Sequence, residues 1–419
     1  MIGRPTGTVT ATRGPVVEAE LPFARVGDGV RICARDVVVG ARITALQGSR
    51  AVLAPFGTLD GVAGGDRVES DPSVLALPLG VALLGRAVDG AGVPHDGGPP
   101  PRGRRLGATG PVHAVAERRP CDAVCWTGVR AIDGPLALGR GARIGLFGPP
   151  GAGKSTLLDA VARGTGADAV VIGLVGERGR EAERRLVQLD HRTTIVCATS
   201  DRAPSERVRA AEVAFAQADA LRARGLHVLL VIDSLARVCA AARELALAAG
   251  EPAGRGGYPP SVFGVLARLL ERAGAVGPGS VTLVATVLSD GPDEHDPVTE
   301  AARAALDGHL VLSERLARRG HFPAIDVARS ASRTLAEVAT PEHRAAARVL
   351  RAAVAALDES SESRSLGLTV VDDPFLARCV AAESRIAQFL CQGDEPSSPE
   401  RTLTELLRLA DILEDGRLR

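Results

Sequence analysis

One short segment near the middle of the chain combines glycine, lysine and serine in a spacing that suits phosphate binding. It reads Gly148-Pro-Pro-Gly151-Ala152-Gly153-Lys154-Ser155-Thr156 and follows the apolar run 144–147. Glycines allow backbone N–H groups to close around phosphate oxygens, and a helix that begins at the lysine adds positive potential. In this G-x-x-x-x-G-K-[ST] pattern the lysine reaches the β- and γ-phosphates and the serine hydroxyl is a ligand of Mg²⁺. We therefore predict that this segment, Gly148 to Thr156, binds ATP with Mg²⁺.

The lysine of this segment is unusual in the composition of the chain. Lysine and arginine together number 50, yet Lys154 is the only lysine. Arginine has a wider, flatter head than the compact ammonium group, so the two do not substitute for each other in a tight site. A lysine retained in such an arginine-rich chain indicates a function that arginine does not fulfil.

Two acidic residues at the ends of apolar runs are candidates for the chemistry beside the phosphates. Asp233 ends the run 227–232, which is typical of a strand buried on both faces. In that position it can hold Mg²⁺ through water. Glu177 and Arg178 follow shortly after the run 169–172. The glutamate could polarise an attacking water and the arginine could stabilise developing charge, or the two could simply open a solvated helix.

The residues around these candidates predict an α/β core between two other domains. Short apolar runs alternate with helical, arginine-rich segments from about residue 125, which indicates a mostly parallel sheet flanked by helices. Short β-branched runs punctuated by glycine predict a small N-terminal β-barrel over 1–75. The nucleotide-binding domain would cover 76–339, with 76–125 as linker and lead-in and a boundary loop at 89–103. Helices at 341–357, 374–389 and 399–415, the first capped by Thr340, would form a C-terminal helical domain over 340–419.

Composition excludes several classes of protein. The 50 basic residues balance 50 acidic residues, which argues against a general basic field for nucleic acid. No run approaches the roughly 18 apolar residues that a membrane helix needs, and the N-terminus lacks a hydrophobic signal core. Of the seven cysteines, Cys121 and Cys125 are the only close pair and no histidine pair accompanies them, so we expect free thiols.

Several long motifs resemble those of the type III secretion and flagellar export ATPases, which are relatives of the rotary ATP synthase catalytic subunit. The resemblance extends from about residue 5 to about residue 395 and is densest in the central domain. The matching segments are 85–94, 127–134, 176–181, 233–237, 249–252, 257–263, 270–274, 306–309 and 320–326.

The resemblance implies roles for particular residues. The family's water-activating glutamate corresponds to Glu177, and the arginine near the γ-phosphate corresponds to Arg178. The segment Ser330-Ala-Ser-Arg333 resembles the family's S-x-S-R, whose arginine reaches into the neighbouring subunit's ATP site. Phe322 corresponds to an aromatic residue against adenine, and Phe389 would supply the other face of that pocket.

The resemblance also implies an assembly and a place of work. The family forms ring hexamers that act in the cytoplasm beneath the export gate, at the inner membrane, where they strip chaperones and unfold cargo. Stator and central-stalk proteins hold the ring there. Of the two branches of the family, we slightly favour the injectisome over the flagellum for this chain. The family usually carries an N-terminal helix for the stator, whereas here the barrel pattern begins within about six residues of Met1. The segment 362–369 replaces a family motif in the domain that receives cargo.

Three other functions fit parts of the pattern. A catalytic subunit of a rotary proton or sodium ATPase would share the chemistry, but the segments 176–181 and 257–261 favour export. A non-catalytic structural subunit would have a non-acidic residue in place of Glu177. A hexameric RNA helicase would need an aromatic, basic platform in the N-terminal domain, which offers chiefly Phe23 and Phe56; no nucleic-acid partner is expected.

Overall fold

The computed structural model describes residues 5–110, 113–288, 296–366 and 373–415. The strands, numbered in chain order, are β1 Thr6–Arg13, β2 Val16–Glu20, β3 Gly29–Cys33, β4 Val38–Gln47, β5 Arg50–Pro55, β6 Arg67–Ser70, β7 Ala76–Pro78, β8 Arg86–Val88, β9 Arg105–Gly107, β10 Arg118–Arg119, β11 Val124–Cys125, β12 Leu138–Gly139, β13 Arg143–Gly148, β14 Ala169–Val175, β15 Thr193–Ala198, β16 His227–Asp233, β17 Gly274–Val276, β18 Gly279–Leu288, β19 Gly308–Val311 and β20 Ala331–Ser332. The helices are α1 Arg130–Asp133, α2 Lys154–Gly164, α3 Gly179–Val187, α4 Pro204–Arg222, α5 Leu235–Ala248, α6 Pro260–Leu270, α7 Pro297–Ala305, α8 Glu314–Arg318, α9 Leu335–Val338, α10 Pro341–Glu359, α11 Ser361–Ser365, α12 Pro374–Ala381, α13 Glu383–Leu390 and α14 Pro399–Asp415.

The described residues form two compact units. The first lies within 1–114, 169–272 and 296–301, and the second within 115–168, 273–295 and 302–419. The division into domains at 75/76 and 339/340 stays a prediction.

The first unit begins with the β-barrel that the sequence predicts. Six antiparallel strands close in the order β1-β2-β5-β4-β3-β6, with β6 paired back to β1. Alternate side chains point inward, as the period of two requires. Val17, Val30, Ile32, Leu53 and Val68 are fully buried among them. The barrel is thus held by one small apolar core.

The rest of the first unit contains a parallel sheet with the order β8-β15-β14-β16. Every residue of β14 and β16 is buried, which is typical of parallel strands covered on both faces. In register, Leu174 of β14 lies opposite Asp233 of β16. The carboxyl ends of these two strands, and the residues that follow them, therefore meet at one edge of the sheet.

Two ion-pair clusters stabilise the first unit. Asp219 of α4 accepts from Arg272 Nε at 2.8 Å and pairs with Arg222 Nη2 at 2.9 Å, and all three side chains are nearly buried. Asp96 accepts from both nitrogens of Arg86, at 2.7 and 3.1 Å, and from two backbone N–H groups. The bidentate arginine holds the pKa of Asp96 well below its usual range. The predicted boundary loop 89–103 includes Asp96 and contains no helix or strand.

The second unit has its own sheet, centred on β13. Strands β18 and β19 flank β13 in parallel, β20 pairs antiparallel with β19, and β17 and β10 extend the other side. The amide of Arg143 and its guanidinium both donate to Asp307, which fixes the start of β13. The loop that follows β13 is the glycine-rich segment of the sequence, and it leads directly into α2.

The second unit ends in the predicted helices. Helix α10 packs against α12 and α14, with Leu350, Ala353, Leu406 and Leu413 in the core. The Thr340 hydroxyl caps α10 by accepting from the amide of the third helical residue at 3.2 Å. The predicted helix 374–389 is instead two helices, α12 and α13, which meet at 382. The fold class predicted from the sequence, an α/β nucleotide-binding core with a barrel before it and helices after it, is confirmed.

Candidate functional site

The glycine-rich loop has the backbone conformation of a phosphate-binding loop. Gly151 and Gly153 adopt φ of 84° and 90°, in the left-handed region that side chains disfavour. No atom lies within 4 Å of the point where a Cβ on Gly151 would be. The loop therefore faces open space at Gly151. Helix α2 begins at Lys154 with Gly153 as its N-cap, and the first N–H groups of a helix have no intrahelical acceptor.

The lysine at the start of α2 lies over this loop. Lys154 Nζ donates to the carbonyl oxygens of Gly148 and Pro149, at 2.6 and 2.8 Å. Its charge is thus kept above the loop by the loop's own carbonyls. Ser155 and Thr156 follow in the first turn of α2, so their hydroxyls belong to the same N-terminal end of the helix as Lys154. These are the donors and ligands that a triphosphate and its cation require, so the loop fits both groups.

A cavity of about 390 Å³ adjoins the loop within the second unit. Ala152, Gly153 and Thr156 form one wall, and Phe322 with the two residues after it forms another. The ring of Phe322 is 48% exposed and reaches to 4.0 Å from the Cβ position of Gly153. An aromatic face that is exposed beside a phosphate-binding loop can stack on a base.

The other side of this cavity comes from a segment that sequence reasoning missed. Gln392, Gly393, Asp394 and Pro396 line it. The side chain of Gln392 accepts from the amide of Arg130 at 2.9 Å and donates to the carbonyl of Gly128 at 2.7 Å. Its own amide donates to the carbonyl of Phe322 at 2.8 Å. Gln392 thereby links Phe322 to Gly128, and both of these residues line the cavity.

The structure places Phe389 away from this cavity. Its ring is 5% exposed and packs against Gly134, where a Cβ would come within 2.9 Å of the ring. Arg130 Nε donates to the carbonyl of Phe389 at 2.9 Å, which holds the end of α13 in place. Phe389 instead lines a different cleft, against α14. The expectation that it forms the second face of an adenine pocket does not agree with this position, because α13 turns the ring toward α1.

The two acidic candidates lie together in the first unit. Glu177 follows β14 and Asp233 ends the neighbouring strand β16, and both are buried. Burial, and next the negative charge of Asp233, raise the pKa of Glu177 well above its ordinary value. Two carboxylates that are close and poorly solvated favour the arrival of a cation. This pair therefore fits Mg²⁺, although no group of three His, Cys, Asp or Glu side chains among the described residues could hold a metal alone.

Each of these carboxylates has an arginine partner that the sequence did not reveal. Arg237, in the first turn of α5, pairs through Nε with Glu177 Oε1 at 3.1 Å. It also donates to the carbonyl of Gly176. Arg185 of α3 lies 3.8 Å from Asp233, measured from Nη2 to Oδ2, and is 5% exposed. The only available signal was the segment 233–237, in which Arg237 is part of a motif.

The two remaining arginines of the predicted site are exposed. Arg178 is the N-cap of α3 and no hydrogen bond from its side chain caps the helix. Arg333 follows β20, and its amide donates to the carbonyl of Asp307 at 3.0 Å. Among the described residues, no hydrogen bond or ion pair engages the guanidinium of Arg333. Its charge is therefore available to a group outside the chain.

This fold and this loop define a P-loop nucleotide-binding protein, and comparison with known proteins gives the family. Residues 128–332 match the model of the ATP synthase alpha/beta family, nucleotide-binding domain. The "Type 3 secretion system ATPase" of Pseudomonas savastanoi pv. phaseolicola is 42% identical, over 98% of this chain and 95% of that protein. The "Flagellum-specific ATP synthase" of Pseudomonas aeruginosa is 40% identical, over 96% and 92%.

A solved structure agrees along nearly the whole chain. The assembled ATPase EscN from the type III secretion system of enteropathogenic E. coli superposes with a TM-score of 0.90 at 36% identity, covering 96% of this chain and all of that one. The chain therefore belongs to the family of type III secretion and flagellum-specific ATPases, and it is an ATPase that binds ATP. No helix among the described residues is long and apolar enough to cross a membrane.

Proposed function

We propose that this protein hydrolyses ATP in a Mg²⁺-dependent reaction, as one subunit of a ring hexamer that energises type III protein export. Chaperone release and unfolding of cargo at the export gate are the work that this hydrolysis would drive. The proposal covers export by injectisomes and by flagella, since relatives of both kinds are 40–42% identical.

The observation that carries the catalytic part is the buried acidic pair. Glu177 is held in a poorly solvated place, beside Asp233 and in contact with Arg237. A carboxylate with a raised pKa is the better proton acceptor once its environment favours ionisation. Glu177 would take the proton of the attacking water, and Asp233 with Ser155 would hold Mg²⁺. When bound, the cation would neutralise charge on the β- and γ-phosphate oxygens.

In this assignment, the residues that would bind the nucleotide are different from the residue that would act as the base. Lys154 and the loop from Gly148 to Thr156 would bind the phosphates, since the ammonium can leave its two loop carbonyls for stronger anionic acceptors. Arg178 is exposed after Glu177 and would bind the γ-phosphate. Phe322 would stack on one face of adenine. The segment at Gln392, which lines the same cavity, would lie on the other side of the base, where the sequence analysis expects Phe389.

The exposure of the Arg333 side chain supports the proposal that the protein forms a ring. An exposed arginine without a hydrogen bond or ion pair to the described residues is suited to act on a neighbouring subunit's phosphates. Two of the similar solved structures are of the assembled ATPase EscN, one of them in complex with its central stalk EscO. We extend that assembly to this chain, with a central stalk, a stator and chaperone–cargo complexes as partners. The ring would then work in the cytoplasm, peripheral to the inner membrane.

The base is tested by Glu177→Gln, which keeps the size of the side chain and removes its charge. Turnover should fall about 10²- to 10⁴-fold while ATP binding persists. Glu183→Gln is the matched control, because Glu183 is exposed on α3. Lys154→Ala should lose productive binding as well. A Glu177→Gln variant with near-normal turnover would show that Glu177 is not the base.

The ring is tested by specific ATPase activity against protein concentration, in Mg²⁺ and without partners. Activity per molecule should rise steeply with concentration if neighbouring subunits complete the sites. Flat, substantial activity at concentrations where the protein is shown to be monomeric would rule out the mechanism with Arg333 in trans.

A further inference from the structure

Helix α3 carries an arginine where its packing requires an inward-facing residue. Ala182 and Arg185 are its only two buried residues, one helical turn apart, while the arginines and acids on the other faces of α3 are solvated to differing degrees. A side chain in such a position is normally apolar. An arginine that is 5% exposed carries a large desolvation cost unless a negative charge compensates it.

The compensating charge is the carboxylate at the end of β16. Arg185 Nη2 lies 3.8 Å from Asp233 Oδ2, and both side chains are nearly buried. This distance is that of an ion pair and exceeds the range of a direct hydrogen bond. Because the pair is buried, its attraction is weakly screened by salt. Arg185 therefore compensates the charge of Asp233 in the protein without nucleotide.

The buried acidic pair thus has two resident cations. Arg237 pairs with Glu177, Arg185 pairs with Asp233, and Glu181 adds a further carboxylate near Glu177. With both arginines in place, the attraction of the site for a free divalent cation is largely cancelled. Nucleotide phosphates would supply the additional negative charge that makes the cation bind.

We propose that Arg185 is a positioning residue for Asp233 that restricts divalent-cation binding to the nucleotide-bound state. This rests on the proposed function, in which Asp233 is a ligand of the cation. Arg185 does not touch the substrate in this assignment. It acts through Asp233, by holding that carboxylate in place and offsetting its charge, which would suppress the binding of the cation alone.

The test measures Mn²⁺ binding to the full chain without nucleotide, from the electron paramagnetic resonance signal of free Mn²⁺. Wild type should bind Mn²⁺ weakly. Arg185→Met, which keeps length but removes charge, should bind it roughly tenfold more tightly or better, because the positive charge of Arg185 beside Asp233 is then removed. Arg185→Lys should behave like wild type. Arg184→Met, on the exposed face of the same helix, is the matched control and should leave the affinity unchanged.

A second substitution assigns the gained affinity to Asp233. Adding Asp233→Asn to Arg185→Met should abolish the gain, and persistence of tight binding in this double variant would overturn the proposal. Unchanged Mn²⁺ affinity in Arg185→Met would also overturn it. If Arg185→Met does not fold, Arg185→Gln is measured in the same way. If neither folds with or without Mn²⁺, Arg185 is a structural residue and the proposal fails.

Failure of this inference differs from failure of the proposed function. If wild type hydrolyses ATP and Glu177→Gln does not, the function stands whatever Arg185→Met does to Mn²⁺ binding. If wild type neither binds nor hydrolyses ATP, both proposals fail together.

Discussion

Replacing Arg333 by alanine should separate activity from stability. The side chain is exposed and makes no hydrogen bond or ion pair with the described residues, and its only recorded hydrogen bond is from the backbone amide, which alanine keeps. The free energy of unfolding should therefore change by no more than about 0.5 kcal/mol. An arginine finger contributes about 10³- to 10⁵-fold in turnover. Steady-state ATPase at a concentration where the ring assembles should fall by that factor, whereas Arg224→Ala, an exposed arginine after α4, should not change it.

Mixing two inactive variants shows whether the finger acts on a neighbour. In a ring with one repeated interface, each active site takes its phosphate loop from one subunit and its finger from the next. Equal amounts of Arg333→Ala and Lys154→Ala chains, assembled at random, place an intact loop beside an intact finger at about one quarter of the interfaces. The mixture should then regain about a quarter of wild-type activity at most.

The control for this experiment is each variant alone at the same total concentration. A mixture that shows only the sum of the two residual activities, in rings shown to contain both chains, would refute the trans-acting role of Arg333. A large loss of stability in Arg333→Ala would refute the structural reasoning instead, since it would mean that the side chain makes contacts within the chain.

Three further outcomes follow from contacts within single units. Phe322→Ala should weaken ATP binding by about 1–3 kcal/mol while Phe322→Tyr stays close to wild type, because stacking needs only an aromatic face; equal KM values for ATP would contradict this. Asp219→Ala leaves two nearly buried arginines without their carboxylate and should lower the free energy of unfolding by about 3–5 kcal/mol in urea. The pKa of Asp96 is lowered, so its ion pair stabilises the fold above the unfolded pKa of about 3.9 and is lost as pH falls through the folded value. Asp96→Asn should therefore be destabilised relative to wild type by about 1.5–3 kcal/mol at pH 7, and by clearly less at pH 3.

The order of strands and helices was readable from local pattern where one period dominates. Apolar runs in β13, β14, β15 and β16 predict buried parallel strands, and the bounds of α14 agree with the predicted helix at 399–415. Strand β4, ten residues long, has a weak local signal because glycine, alanine and threonine interrupt its apolar pattern. The predicted helix 374–389 was read as continuous because its apolar spacing persists through Ala382, where the structure begins a second helix.

The loop after β13 and the start of α2 at Lys154 were predicted because the motif itself contains the geometry. A loop with glycine at fixed positions and a lysine at the start of a helix allows few other structures. The structure places Phe389 away from the cavity because a helix has several faces. Its position in the chain agreed with the family, but the face of α13 that carries it packs on Gly134, and the loop beyond it supplies Gln392 to the cavity. A glutamine that links two lining residues, Gly128 and Phe322, through hydrogen bonds has no distinctive sequence signal.

The arginine partners of the acidic pair show why residue type alone does not reveal which arginines are buried beside Glu177 and Asp233. Arg184 and Arg185 are adjacent and chemically identical, yet one is exposed and the other is 5% exposed beside Asp233. Sequence alone makes both of them solvated residues of a charged helix. The structure separates them, because a helix turns by 100° per residue and Arg185 shares its face with Ala182. The charge of this buried guanidinium is compensated by Asp233, the carboxylate that we propose holds Mg²⁺. Under that proposal, Arg185 and a divalent cation would compete for the same carboxylate.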